Sequence, residues 1–253
     1  MSSLTIACVM FGCVMASTLA AMLVARRLPE PHLSGDSRDV VKLGLGVIGT
    51  LTALVLGLLV AATKGTYDAQ SGTVKELAAQ LGLLDRVLAR YGAEAQPARA
   101  HVRGLTESVL HQLWPHDGAG PGDLSGGESA AAGVTLFEAV AALEPKTDAQ
   151  RLLKSRALEI AVGMGHIRQQ LVVNNERSIP APFLLMLGLW QAVLFAGFGL
   201  LAPRNATTFT VLAVCMLSVS GALFLVLELD RPFAGMIRVS DTPLRSVLAH
   251  LGQ

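Results

Sequence analysis

Residues 43–63 read LGLGVIGTLTALVLGLLVAAT. No charge interrupts them, and crossing a hydrocarbon core takes roughly 20 apolar residues in helical form. The run carries a second pattern. Gly46, Thr50, Ala53, Gly57 and Ala61 recur at steps of four, three, four and four, so on a helix they stack along one face. Small residues in a row let a neighbouring helix approach closely. The same row can line a narrow path in which the Thr50 hydroxyl meets a passing ion. Both readings stay open, and they coincide in an oligomer whose copies of this helix surround an axis.

Three more runs of this kind occupy residues 4–25, 183–202 and 207–227, each without an internal charge. The first has no Lys or Arg ahead of it and is longer than the ~7–15-residue core of a secretory signal, so it reads as a retained span. The whole chain is 52% hydrophobic and 15% charged, against about 25% charged in soluble domains. A net charge of +1 argues against a nucleic-acid partner, which needs a basic face. Cys8, Cys13 and Cys215 all sit inside apolar runs and read as small hydrophobes.

Between the second and third runs lies a polar segment with two heptad seams. Val74, Leu77, Leu81, Leu84, Leu88 and Tyr91 form one; Leu153, Ala157, Ile160, Met164, Ile167 and Leu171 form the other. Such spacing lets one helix bury its stripe against another. The first seam follows the second span with no proline between Pro31 and Pro97. A continuous helix over residues 42–91 would be roughly 75 Å long at 1.5 Å per residue. Gly65 and Gly72 cost it only ~1 kcal/mol each. A shorter helix is expected over residues 100–114. The stretch HDGAGPGDLSGGES that follows Trp114-Pro115 reads as a mobile loop. Pro180 and Pro182 reset the chain before the third span.

The chain has no GxSxG, no phosphate-binding glycine loop and no CxxC pair, so no enzyme, cofactor or metal site is expected. The histidines are scattered. His111 and His116 straddle Pro115 and would not share a helical face. Asn205-Ala-Thr207 fits a glycosylation sequon but falls in a very short link between spans, and reads as chance. Gln191, the lone polar side chain of the third span, is expected to bond a neighbouring helix.

The fourth span ends in LFLVLELDRPFAG, residues 223–235. A carboxylate deep in hydrocarbon is costly, so Glu228 should lie at the interface, in a water-filled cavity or against a cation. Asp230 precedes Arg231-Pro232, and proline suits the first turn of a helix. Asp230 is therefore expected to cap a restarting helix, with direct ion handling as the alternative. Phe233 and Gly235 would anchor and turn the segment. Ser240 or Asp241 and Pro243 open a last amphipathic helix, whose Leu244, Val247, Leu248 and Leu251 need somewhere to dock.

GTLTALVLGLLVAA with the following YDAQSGTVKE, then LWP, then LELDRPFAGMIRVSDTPL, resembles a prokaryotic membrane family described as bestrophin-like. The resemblance runs through nearly the whole chain and is most specific in the tail. It maps onto Gly49, Thr50 and Gly57 in the second span, and onto Asp230, Pro232, Phe233 and Gly235. It implies an all-α fold: two transmembrane hairpins (residues 1–63 and 179–229), a cytoplasmic helical middle domain (64–178) and an amphipathic tail (230–253). By remoter analogy it implies a homo-oligomeric ion channel for anions in the inner membrane, with membrane lipid and an inorganic ion as partners. Aromatic residues of a bestrophin neck have no counterpart in residues 43–63. Charge counts on the two sides lean slightly toward a cytoplasmic middle domain, and Arg26-Arg27 oppose that orientation. A ring-forming motor subunit of the flagellar-stator type and a non-transporting scaffold are the alternatives.

Overall fold

A computed structural model describes residues 2–27, 35–115, 127–173, 179–203 and 205–252. The expectations placed on His116 and on residues 116–126 of the loop fall outside these. Among the described residues every regular element is a helix. Its elements are α1 (Ser3–Val24), α2 (Gly35–Tyr91), a 3-10 turn (Ala93–Ala95), α3 (Gln96–Leu113), α4 (Glu128–Ala141), α5 (Asp148–Val173), α6 (Ala181–Leu201), α7 (Ala206–Leu229) and α8 (Thr242–His250). Four of them, α1, α2, α6 and α7, are long and apolar enough to cross a membrane.

The chain divides into two compact units, residues 1–65 with 177–230 and residues 66–176 with 231–253. Helix α2 contributes to both. It starts earlier than residue 42, at Gly35, and runs unbroken through Gly65 and Gly72 to Tyr91.

In the first unit α1 packs on α6 and α7 around Val14, Phe195, Leu212 and Met216. The tight approaches use glycines of α6. A methyl group at Gly199 would sit 2.6 Å from the Thr18 carbonyl oxygen, and one at Gly188 would sit 2.6 Å from the Met10 Cε. Gly197 likewise receives the Leu45 side chain of α2, and a methyl at Gly49 would lie 3.2 Å from the Leu194 Cδ1. Without a large hydrophobic driving force between helices in lipid, this closeness supplies the packing energy. Hydroxyls add local bonds: Ser17 Oγ donates to the Ala192 carbonyl at 3.2 Å, and Thr18 Oγ1 to its own helix at the Val14 carbonyl. Helix α1 is capped by Ser2, which accepts from the Thr5 N–H. Asn205 caps α7, accepting from the Thr208 N–H at 2.8 Å. The residue that fits a sequon thus has a structural use.

The second unit buries both seams. Val74, Leu77, Leu81, Leu84, Leu88 and Tyr91 are all buried, as are Ala157, Ile160, Met164, Ile167 and Leu171, with Leu153 packed partly against them. Helix α3 adds Val102, Leu105, Val109 and Leu113, and α4 adds Leu136 and Val140. Helix α4 was not expected: Gly127 stands at its N-cap, so the end of the glycine-rich stretch is helical. Chain reversal after α2 uses Gly92 at φ +124°, a backbone region that favours glycine. Long polar side chains close the helix ends. Gln150 Nε2 donates to the Tyr91 carbonyl at the end of α2. Lys154 Nζ donates to the Ala141 and Leu143 carbonyls at the end of α4, where orphan acceptors and the helix dipole both favour a cation. Helix α8 docks Leu244 and Leu251 into this core, with Val247 and Leu248 packed against it.

Candidate functional site

The small-residue face of α2 is intact and open. Gly46, Thr50, Ala53, Gly57 and Ala61 are all exposed. A methyl group added at Gly46 or Gly57 would meet nothing within 4 Å. The Thr50 hydroxyl donates to the Gly46 carbonyl at 2.9 Å, which satisfies its proton and leaves the oxygen as an outward acceptor. Beside this row runs a second exposed row, Leu43, Val47, Leu51, Leu54 and Leu58, about a quarter-turn away at 100° per residue. The opposite side of α2, with Leu45 and Thr52, is the buried one. A single chain therefore spends its internal packing on one side of α2. It leaves a small row and a leucine row exposed.

Gln191 departs from expectation. It is only 2% exposed, and its Nε2 has no hydrogen-bond partner. It lines a cavity of about 320 Å³ with Gly49, Thr52, Phe195 and Leu212.

The tail motif does something other than restart a helix. Asp230 is the C-cap of α7, in right-handed helical geometry with φ −71° and ψ −3°. The next helix begins only at Thr242. The expected N-cap role for Asp230 is thus replaced by a C-terminal one, because Pro232 opens a run of turns. Glu228 lies in the last turn of α7 and is 4% exposed. Pro232 and Phe233 are buried, Gly235 takes φ +94°, and the Val239 N–H returns to the Pro232 carbonyl at 2.7 Å. Arg238 Nε donates to the Gly235 carbonyl at 2.7 Å, and the Tyr67 hydroxyl donates to the Arg238 carbonyl at 3.1 Å. Trp114, from the LWP stretch, meets Phe233 edge to face with ring centres 5.6 Å apart and donates its indole N–H to the Val239 carbonyl. Pro232, Phe233 and Gly235 therefore shape and anchor a closed turn on the helical unit. Ahead of α8, Asp241 takes the N-cap position without a side-chain cap bond. Its carboxylate pairs with Arg245, and Ser240 Oγ accepts from the Thr242 N–H.

One buried charge pair has no counterpart in the sequence reading. Arg99 of α3 donates from Nε and Nη2 to the two oxygens of Asp85 on α2, at 2.8 and 3.0 Å. Both side chains are below a tenth exposed. The hydrogen bond to Asp85 pushes the Arg99 pKa further up, against the opposing effect of burial. The two residues stand on either side of Gly92, seven positions before and seven after. Two heptads bracketing a glycine corner were the available signal. Among the described residues no group of His, Cys, Asp and Glu is set to hold a metal ion.

A family model described as a bestrophin-like domain matches residues 12–244. Among solved structures, a variant of a bacterial bestrophin homologue from Klebsiella pneumoniae is similar at 15% identity, covering 100% of this chain and 99% of that one, with a TM-score of 0.70. A second variant of the same homologue is 14% identical over 96% of this chain and 99% of that one, with a TM-score of 0.66. A structure described as a membrane protein is also 14% identical over 96% and 99% of the two chains, with a TM-score of 0.65. At such identity the likeness is one of fold. No curated protein matches the chain in sequence.

Proposed function

The chain belongs to the bestrophin-like family, and on that premise we propose that this integral membrane protein works as a homo-oligomeric ion channel. The observation that carries the reading is the open face of α2. Gly46, Thr50, Ala53, Gly57 and Ala61 form an uncharged, exposed row on which a methyl group at Gly46 or Gly57 would meet nothing within 4 Å, flanked by exposed leucines. In lipid, copies of α2 arranged about an axis give both rows a use. The leucine row packs on the adjacent subunit, and the small row faces the path. Thr50 offers the single hydroxyl of that row to the passing ion.

The four apolar helices cross the inner membrane as two hairpins, and the seam helices form a cytoplasmic vestibule. The conducted ion is an anion, as the family resemblance implies. Pro232, Phe233 and Gly235 serve the fold of the tail rather than permeation, and no catalytic role is assigned.

The test is chloride flux from liposomes holding the purified protein. Flux that rises with protein content and falls in Gly57→Leu supports the reading. No flux from a well-assembled oligomer under varied voltage, pH and anion refutes it. A Gly57→Leu protein with wild-type assembly and flux would mean that the small row faces lipid.

A further inference from the structure

Gln191 leaves the membrane unit one hydrogen bond short. The residue is 2% exposed and its Nε2 has no partner, although a buried donor without an acceptor costs stability. It stands eleventh of the 21 residues of α6, so it lies roughly 15 Å along the helix from either end. In a hydrocarbon core about 30 Å thick that is the middle, beyond the reach of bulk water and of the lipid esters and headgroups. At this depth Gln191 lines the cavity of about 320 Å³ between α2, α6 and α7, all within the first unit.

The walls select the occupant. At ~30 Å³ per water the space would take on the order of ten, and each buried water needs two to four polar partners. Besides Gln191, the polar side chains of the described lining are Thr52 and Cys215, and the Thr52 proton is spent on the Ile48 carbonyl at 2.7 Å. Water therefore fills it badly. None of the described lining residues is charged, so a carboxylate or an ammonium would stand there uncompensated. A phospholipid chain would fill the space but bring no acceptor to the Gln191 N–H, because its ester stays at the surface. The volume matches the smallest ligand pockets, which begin near ~300 Å³. Phe198 and Cys215 of the lining are exposed, which lets a guest enter from the hydrocarbon. We propose that this cavity binds a small neutral amphiphile with one hydrogen-bond acceptor, of the medium-chain ketone and alcohol class. Its oxygen accepts from Gln191 Nε2, and its chain lies against Phe195 and Leu212. The proposal does not depend on ion conduction.

The experiment is photolabelling of the full-length protein in phosphatidylcholine nanodiscs with octan-2-one carrying a diazirine on its chain, the adducts being mapped by mass spectrometry. The expected result is saturable labelling of the cavity lining, competed better by octan-2-one than by octane at equal mole fraction in the bilayer. Gln191→Leu should remove that preference, about two- to tenfold for one neutral hydrogen bond. The variant should melt no lower than wild type, because it deletes an unpartnered donor. Cys215→Phe should cut labelling at least tenfold by filling the space, and Val219→Phe serves the same purpose if that variant does not assemble. Labelling that does not saturate, equal competition by the ketone and the alkane, a preference kept in Gln191→Leu, or filled-cavity variants labelled like wild type would each overturn the proposal. A Gln191→Leu protein melting well below wild type would mean that the amide is bonded in the assembled protein, as by a side chain of a second copy, and would also overturn it.

Discussion

Trp114 holds the tail turn by two contacts at once: its indole Nε1–H donates to the Val239 carbonyl at 2.9 Å, and its ring edge meets Phe233. Trp114→Phe keeps a ring but removes the donor, so it should cost about 0.5–1.5 kcal/mol. Phe233→Ala empties a buried ring site and should cost about 3–5 kcal/mol. Chemical unfolding of Trp114→Phe and Phe233→Ala checks this, and a cycle of Trp114→Leu, Phe233→Ala and their double variant, in which both rings are removed, reads the coupling. A coupling of about 0.5–1.5 kcal/mol is expected for the ring pair. Full additivity would mean that the rings only happen to adjoin.

Asp85 and Arg99 neutralise each other in the seam core. Asp85→Ala strands a buried guanidinium and should destabilise the protein by about 3–5 kcal/mol, whereas replacing both residues by apolar ones of similar size should be close to neutral. Thermal unfolding of Asp85→Ala and of the Asp85→Leu/Arg99→Met pair separates the two cases. A raised arginine pKa contributes stability below its ordinary value and loses it only as pH climbs through the higher folded value. The Arg99 effect should therefore be constant across neutral pH, where its carboxylate partner stays charged. A loss of melting temperature between pH 6 and 8 traceable to Arg99→Met would contradict it.

How much of this was legible from residues alone depends on the range of the signal. Hydropathy marks α1, α2, α6 and α7 because each apolar run is local, and the seams are legible because leucines at three- and four-residue steps must share a side. Helix α4 was missed: its Ala130, Ala131, Ala132 and Gly133 carry too little apolar bulk to set a period, and a glycine-rich stretch precedes it. Asp230 was read as a helix start because Pro232 suits a first turn; the decisive facts, the Gly235 conformation and the return to Trp114, are tertiary. The Asp85–Arg99 pair was missed because each charge alone resembles a solvated helix face, and only the equal spacing about Gly92 marked it. The small row on α2 was found by spacing, yet its openness, which gives it meaning, required knowing that α6 supplies the internal close contacts.

Those close contacts yield a third expectation. Gly199→Val should destabilise the first unit by about 1–3 kcal/mol or more through overpacking, since even a methyl would press on the Thr18 carbonyl. Detergent-solubilised yield and melting temperature should both fall. Wild-type values would show that α1 and α6 can separate freely.

Glu94 gives a pH-dependent prediction. A hydrogen bond from its own backbone amide, and then the Lys146 ammonium at 3.3 Å, hold its carboxyl below the ordinary 4.5. A depressed carboxyl contributes above its ordinary value and loses that contribution as pH falls through the lower folded value. Lys146→Gln should move the Glu94 midpoint upward toward 4.5 without reaching it, because the backbone donor remains. Carbon-detected NMR titration of the labelled side chain reads this directly. An unmoved midpoint would show that the lysine contact is not kept in solution.

The glycines of the membrane unit fall into two populations with opposite tolerance. Those of α6 are keyholes, and a random library scored merely for cellular abundance should reject substitutions at Gly188, Gly197 and Gly199. Those at positions 46 and 57 would pass that screen unnoticed and be purged only when survival is tied to what the assembled protein transports. Sequencing one library under both regimes would sort construction from purpose, glycine by glycine.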